Sequence, residues 1–193
     1  MKTIIFDFDG VIHDTFELAH EIFGENMSKD EYRNLFNGNI HECHKVEKEK
    51  HDGMHKLQRE VFKSLKADEN IKNKLEMLSE KHVLFIVSSN QEEALNTYFQ
   101  NNNFTHVFKE ILGAESHQSK VEKFKYLFRK YDLKVKDCIF VTDTLGDILE
   151  GNKVGLRTIA VDFGFHERER LEKGNPFKIV SSFDEVMEVI KEM

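Results

Sequence analysis

Five short apolar stretches punctuate the chain, and most of them run straight into a polar turn. Thr3–Phe8 is cut off by Asp9-Gly10, Val83–Val87 ends in Ser88-Ser89-Asn90, Ile139–Thr142 meets Asp143, and Thr158–Val161 meets Asp162. The remaining stretch, Val107–Leu112, is interrupted by Lys109 and Glu110. Continuous apolar runs without alternation suit strands covered on both faces, as in a parallel sheet. Helical spacings lie between them. Asp68 precedes Ile71, Leu75 and Leu78; Asn90 precedes Ala94, Leu95, Tyr98 and Phe99; Ser119 precedes Val121, Phe124, Leu127 and Phe128. Thr144–Val154 and Ser182–Ile190 complete the helical set, with Asp, Asn, Ser and Thr placed as N-caps. Alternating strands and helices predict an α/β fold, a Rossmann-like parallel sheet flanked by helices.

Residues 14–67 depart from that rhythm. Phe16, Ala19, Ile22 and Phe23, then Ser28-x-x-Glu31 as a capping box, then Met54, Leu57, Val61 and Leu65 read as helices. The expectation is a core of residues 1–13 and 68–193, with a helical insertion at 14–67 after the first strand.

Composition narrows the function. With 28 Lys and Arg against 35 Asp and Glu, the net charge is −7, which disfavours a nucleic-acid partner. No apolar run reaches the 18 residues that suggest a membrane span. Cys43 and Cys138 form no C-x-x-C pair, and Asp7 and Asp9 break the N-terminal apolar run too early for a signal peptide. A cytoplasmic protein without membrane association is expected; the oligomeric state is not legible.

The chemistry concentrates where strands end. Asp7 and Asp9 are two apart, so their side chains leave an extended chain on the same side, and Gly10 lets the backbone turn for a ligand. Asp143 and Asp147 lie one helical turn apart. In open α/β sheets, ligands bind beyond the carboxyl ends of the strands. Four carboxylates gathered there call for a cation, and all-oxygen ligation makes Mg²⁺ the default. Ser88 and Ser89, at a strand end before a helix, suit an anion, and Lys120 supplies positive charge for a phosphoryl group. Together these residues make a phosphoryl-transfer set. Each has a plainer reading: a strand-ending turn for Asp7-Phe8-Asp9-Gly10, helix capping for Ser88 and Asp143, a solvated helix residue for Lys120.

The motifs taken in order resemble the haloacid dehalogenase superfamily of phosphohydrolases, over essentially the whole length. They stand as Asp7-Phe8-Asp9-Gly10-Val11-Ile12, Phe85-Ile86-Val87-Ser88, Lys120 and Val141-Thr142-Asp143-Thr144-Leu145-Gly146-Asp147. The insertion looks like the small helical cap of its phosphoglycolate phosphatase and β-phosphoglucomutase branch. The resemblance implies that Asp7 is the nucleophile, that Asp9 is the acid and then the base, and that Gly10, Ser88, Ser89 and Lys120 bind the phosphoryl group. It also implies that Asp7, Asp9 (through its carbonyl) and Asp143 hold Mg²⁺, with Asp147 ligating through water or orienting Lys120. The chain departs from relatives at Thr142, where Gly is usual and extra bulk would displace the metal loop, and in the residues around Lys120, for which Lys123 or Lys125 is the alternative.

The implied activity is hydrolysis of a small phosphorylated metabolite through an aspartyl-phosphate. A phosphomutase, or from another class a phospho-accepting regulatory domain, is the alternative. A receiver domain places its phosphorylated Asp after the third strand, but only Gly113-Ala114-Glu115 stands there. The insertion is rich in histidine: His41, His44, His51 and His55, with His51-Asp52-Gly53-Met54-His55 imitating a zinc-helix motif. Asp in place of Glu and the helix-weakening Gly53 argue for solvated or substrate-facing histidines instead.

Overall fold

A computed structural model describes residues 1–24, 26–43 and 57–193. Its strands are β1 (Thr3–Phe6), β2 (Val83–Val87), β3 (Glu110–Leu112), β4 (Cys138–Thr142), β5 (Arg157–Val161) and β6 (Lys178–Val180). They form one sheet in the order β3-β2-β1-β4-β5-β6, and every pairing is parallel. The chain builds outward from β1 to β3, then returns to place β4 on the other side of β1. Ile4 of β1 therefore faces Leu84 on one side and Ile139 on the other. The strand order reverses between β1 and β4, and ligands of such sheets bind beyond the strand ends at this switch.

Alternation along β1 divides the core into two layers. Ile4, Phe6 and Phe8 pack with residues of α5 (Glu69–Ser79), α6 (Glu92–Asn101) and α10 (Phe183–Glu192). Ile5 faces the other way, with Phe85, Val87 and Phe140, onto Phe124 and Leu127 of α7 (Lys120–Lys130). On that side Ile148 of α8 (Leu145–Lys153) meets Ala160 and Leu171, the last residue of α9 (Arg168–Leu171). Burying each such side chain contributes about 1.5–3 kcal/mol, so the sheet is held from both faces.

Several starts follow the sequence pattern. Asp68 accepts from the Asn70 and Ile71 N–H groups, Thr144 from Asp147 and Ser182 from Glu185. Three readings need correction. Helix α6 is capped by Gln91 rather than Asn90, whose side chain is used elsewhere. The third strand is shorter than Val107–Leu112, because Thr105–Val107 turns as a 3₁₀ segment. Edge strand β6 follows Pro176 and is only three residues long, too short for a pattern to show.

The described part of 14–67 contains α1 (Phe16–Phe23), α2 (Lys29–Asn34), a 3₁₀ turn at Leu35–Asn37, α3 (Ile40–Cys43) and α4 (57–64). The Ser28–Glu31 capping box forms as expected. Phe16, Tyr32 and Phe36 pack around Phe165, which lies beyond β5. Met54 and histidines 44, 51 and 55, with the zinc-like motif, lie outside the described residues. Among the described residues, no helix is long and apolar enough to cross a membrane.

Phe8, between the two motif aspartates, is fully buried, with its ring 5.4 Å from Phe62, 4.9 Å from Tyr98 and 5.8 Å from Phe99. Phe8→Ala is expected to destabilise the protein by about 3–5 kcal/mol, read by urea unfolding. A loss within about 0.5 kcal/mol, the scale of a surface change, would show that this cluster does not anchor the motif.

Candidate active site

The sheet topology brings the motif residues to one edge. Asp7 directly follows β1 and its N–H donates to the Val141 carbonyl of β4 at 2.9 Å, which fixes it beside the β4 end. Asp7 Oδ1 accepts from the Phe8 N–H at 2.8 Å. Its Oδ2 lies 2.9 Å from Lys120 Nζ, which also lies 2.5 Å from Asp147 Oδ2. Thr142 donates its hydroxyl to the same Asp147 oxygen at 2.6 Å. Thr142 is thus a buried hydrogen-bond partner of Asp147.

Of the three lysines weighed from sequence, Lys120 reaches the carboxylates. Lys123 is buried and donates to the Ser88 carbonyl, while Lys125 pairs with Glu122 at the surface. Burial, with the Lys120 charge beside it, lowers Lys123 to about 8.

Asp9 is held at both oxygens. Thr15 Oγ donates to Oδ1 at 2.6 Å and Asn90 Nδ2 donates to Oδ2 at 2.7 Å. Gln58 Nε2 donates to Asn90 Oδ1 at 2.7 Å and so sets which way that amide points. An amide nitrogen can only donate, whereas a hydroxyl can donate or accept. A proton on Asp9 is therefore accommodated at Oδ1, against Thr15. Sequence reasoning placed Asn90 as a cap and missed this use, although its position just beyond the end of β2 was an available signal; Thr15 carried no such signal.

Asp143 follows β4 and is fully buried. Its Oδ2 accepts from the Phe165 N–H at 2.7 Å, while its Oδ1 has no hydrogen-bond partner among the described residues. Gly10 explains the tightness: it has φ +64°, and a Cβ there would stand 1.9 Å from Asp143 Oδ2. Gly10 is thus required both by its backbone and by the carboxylate pressed against it.

Ser88 is fully buried, and its hydroxyl accepts from the Asn90 N–H at 3.1 Å. Ser89 instead lines the open cavity with Asp7, Asp9, Lys120, Asp143 and Asp147. The insertion closes the other wall with Phe36, Gly38, Asn39 and Ile40, and α8 adds Glu150.

The electrostatics follow from burying more acid than base. Burial pushes Asp7 well above the carboxylate range; Lys120 opposes this, and Asp147 and Asp143 add to it. Asp143 rises for the same first reason and is only partly relieved by the Phe165 N–H. Burial also raises Asp9, against the bonds from Thr15 and Asn90. Asp147 goes the other way: burial would raise it, but Lys120 and the bonds to its oxygens outweigh that. Lys120 is raised by Asp147 and Asp7 despite its own burial, so it stays charged. Among the described residues no three His, Cys, Asp or Glu side chains already converge at ligand spacing; Asp7 and Asp147 close on the Lys120 ammonium instead.

His166, which sequence reasoning overlooked, ties the insertion to the site. Its Nδ1 accepts from the Leu145 N–H at the start of α8, so its Nε2 carries the proton and donates to the Arg33 carbonyl, both at 2.9 Å. Burial lowers it to about 4.

Residues 4–161 match the haloacid dehalogenase-like hydrolase family, and the chain belongs to it. It is similar to a phosphoglycolate phosphatase of Haemophilus influenzae, with 24% identity over 125 residues. That match covers 63% of this chain and 56% of the relative, so the chain spans little more than half the length of that protein. Among solved structures, a protein described as a predicted phosphatase from Clostridium acetobutylicum superposes with TM-score 0.80 at 20% identity, covering 100% of this chain and 99% of that one. CbbY from Rhodobacter sphaeroides, solved in complex with phosphate, gives 0.77 at 16% identity, with 96% of each chain covered.

The depressed His166 sets a pH dependence with a definite sign. The folded state keeps it neutral, so the unfolded state binds the extra proton below its ordinary 6.5. Its contribution is complete above that value and is lost as pH falls toward about 4, at up to about 1.4 kcal/mol per pH unit. The stability gap between wild type and His166→Gln, measured by denaturant unfolding, should narrow across this window. A constant gap would mean that His166 does not stay neutral in the fold.

Proposed function

We propose that the protein is a Mg²⁺-dependent phosphatase that hydrolyses a small phosphomonoester through an aspartyl-phosphate on Asp7. The observation carrying this reading is the Asp7–Lys120–Asp147 bridge beside Asp9, at the sheet's switch point in a member of a hydrolase family. The phosphoglycolate phosphatase relatives and the phosphate-bound neighbour support the same chemistry.

The donors are oxygens alone, Asp143 Oδ1 is buried without a partner among the described residues, and Asp7 and Asp143 are pushed well up by burial. Such a set fits a hard divalent cation, which removes the cost of the orphaned oxygen. Asp7, the Asp9 carbonyl and Asp143 would hold Mg²⁺, with Asp147 beside them. When bound, the ion supplies positive charge to the phosphoryl oxygens.

The chain's own groups then divide the work. Asp7 attacks phosphorus as its bond to the alcohol oxygen breaks, and Asp9 gives its proton to that oxygen. Burial holds Asp9 above the carboxylate range, the direction a general acid needs. Asp9, now ionised, takes a proton from water as the water oxygen bonds to phosphorus and the bond to Asp7 breaks, releasing inorganic phosphate. Lys120 opposes protonation of Asp7 and faces the phosphoryl oxygens, and Ser88 and Ser89 with the following N–H groups complete the anion site. Residues 14–67 act as the cap over it, excluding water.

Purified protein should hydrolyse an aryl phosphate, lose turnover with EDTA and regain it with Mg²⁺. Asp7→Asn should abolish turnover with the circular dichroism spectrum unchanged, and Asp9→Asn should slow it by about 10²–10⁴-fold. Turnover that persists in EDTA, or in Asp7→Asn, overturns the reading.

The metal assignment has its own readout. Because Asp143 is raised, its ionised form costs stability, and the cost grows as pH rises above its unfolded value. In EDTA at neutral pH, Asp143→Asn should melt several degrees above wild type. Added Mg²⁺ should raise the melting point of wild type and leave the variant unmoved. An equal Mg²⁺ response in both would remove Asp143 as a ligand.

A further inference from the structure

We propose that Glu150 and Asn39 select the alcohol half of the substrate, accepting a neutral, hydroxyl-bearing alcohol and rejecting one that carries a carboxylate. This selection presupposes the phosphatase reading of the site and deepens it to a substrate class.

Glu150 lines the same cavity as Asp7 and Lys120 but takes no part in the chemistry above. It lies three residues after Asp147 on α8, on the same helical face and about 5 Å further along the axis. It is a carboxylate with only 5% of its surface exposed. All its hydrogen bonds fall on one oxygen: Oε1 accepts from Ser119 Oγ at 2.9 Å, Val121 N–H at 3.4 Å and Asn39 Nδ2 at 3.4 Å. Oε2 accepts none from the described residues.

Asn39 stands opposite, on the insertion's wall of the cavity. Its Oδ1 is engaged by the His41 N–H at 2.9 Å, which leaves Nδ2 as the group offered outward. That nitrogen reaches Glu150 Oε1 and the Gln118 carbonyl only at 3.4 Å each, beyond the usual 2.7–3.2 Å of a good N–H···O bond. The pair therefore presents one spare acceptor and one loosely held donor across the cavity.

A hydroxyl satisfies both at once, donating to Glu150 Oε2 while accepting from Asn39 Nδ2. A carboxylate can only accept, so it would meet Glu150 as a like charge with no bond between them. Among the described lining residues it would meet no free counter-ion, since Lys120 is the cation there and is already shared by Asp7 and Asp147. Burial raises Glu150, and the neighbouring Asp147 adds to this. Rejection by a like charge and an unmade bond is the form of selectivity that a site enforces most strongly.

The test uses three two-carbon esters: 2-hydroxyethyl phosphate, ethyl phosphate and 2-phosphoglycolate, which differ only in the group facing this wall. Wild-type kcat/KM should fall in that order, with 2-hydroxyethyl phosphate favoured over 2-phosphoglycolate by at least about tenfold. Glu150→Gln, which retains an acceptor for Ser119, should raise 2-phosphoglycolate relative to ethyl phosphate by about tenfold. Asn39→Ala should erase the advantage of the hydroxyl over ethyl phosphate. Equal or better turnover of 2-phosphoglycolate, or an order unaffected by Glu150→Gln, overturns the proposal.

Binding to Asp7→Asn in Mg²⁺, read by calorimetry, separates this from failure of the phosphatase reading. If that variant binds the esters in the same order while the wild type hydrolyses neither them nor an aryl phosphate, the catalytic reading falls and the selection stands. If the variant shows no order, the selection falls whatever the turnover.

Discussion

Everything at the carboxyl edge of the sheet depends on one buried ammonium. Lys120 lies between Asp7 and Asp147, with 3% of its side chain exposed, where an isolated ion of either sign would be expelled. Its charge holds Asp147 ionised and opposes the burial that lifts Asp7. It compensates Asp143 and Asp9 only in part, and the two meet the remainder differently. Asp9 receives donors on both oxygens; Asp143 receives one on Oδ2 alone. Under the proposed function, that difference suits Asp9 to exchange a proton and Asp143 to take a cation.

The second consequence is that the insertion is wired into the site. Thr15, immediately before α1, and Gln58 on α4 act on Asp9 from opposite ends of the insertion, the second through Asn90. Further out, Gly146 at the start of α8 comes so close to Gly38 that a Cβ would stand 2.2 Å from its carbonyl oxygen. His166 bridges α2 and α8 nearby. The orientation of the acid and the seating of the insertion are thus set by the same few bonds.

The sheet and the motif aspartates were legible in sequence because both rest on local signals. Buried strands need unbroken apolar runs, and Asp7, Asp9, Asp143 and Asp147 sit at fixed steps from where those runs stop. Lys120 was legible by order along the chain, but its preference over Lys123 and Lys125 was not, since which lysine enters the site depends on the rotation of α7 against the sheet. Asn90 was misjudged because a capping side chain and one reaching a distant carboxylate have the same local signature. Glu150, Asn39 and His166 carry no signal at all, because their partners are 111 and 133 residues away for the longest of these bonds. Edge strand β6 escaped because three residues on a sheet's margin need no pattern of their own.

Phe165 gathers these connections into a single residue. Its N–H holds Asp143, its carbonyl accepts from Arg33 Nε at 2.9 Å, and its ring packs between Phe16 and Phe36. Arg33 in turn lies over the Phe16 ring at 4.1 Å. The contacts that seat α2 and the bond that steadies Asp143 therefore meet on one residue. Substituting Phe165 thus touches the packing of the insertion and the surroundings of Asp143 together, although neither lies beside it in the chain.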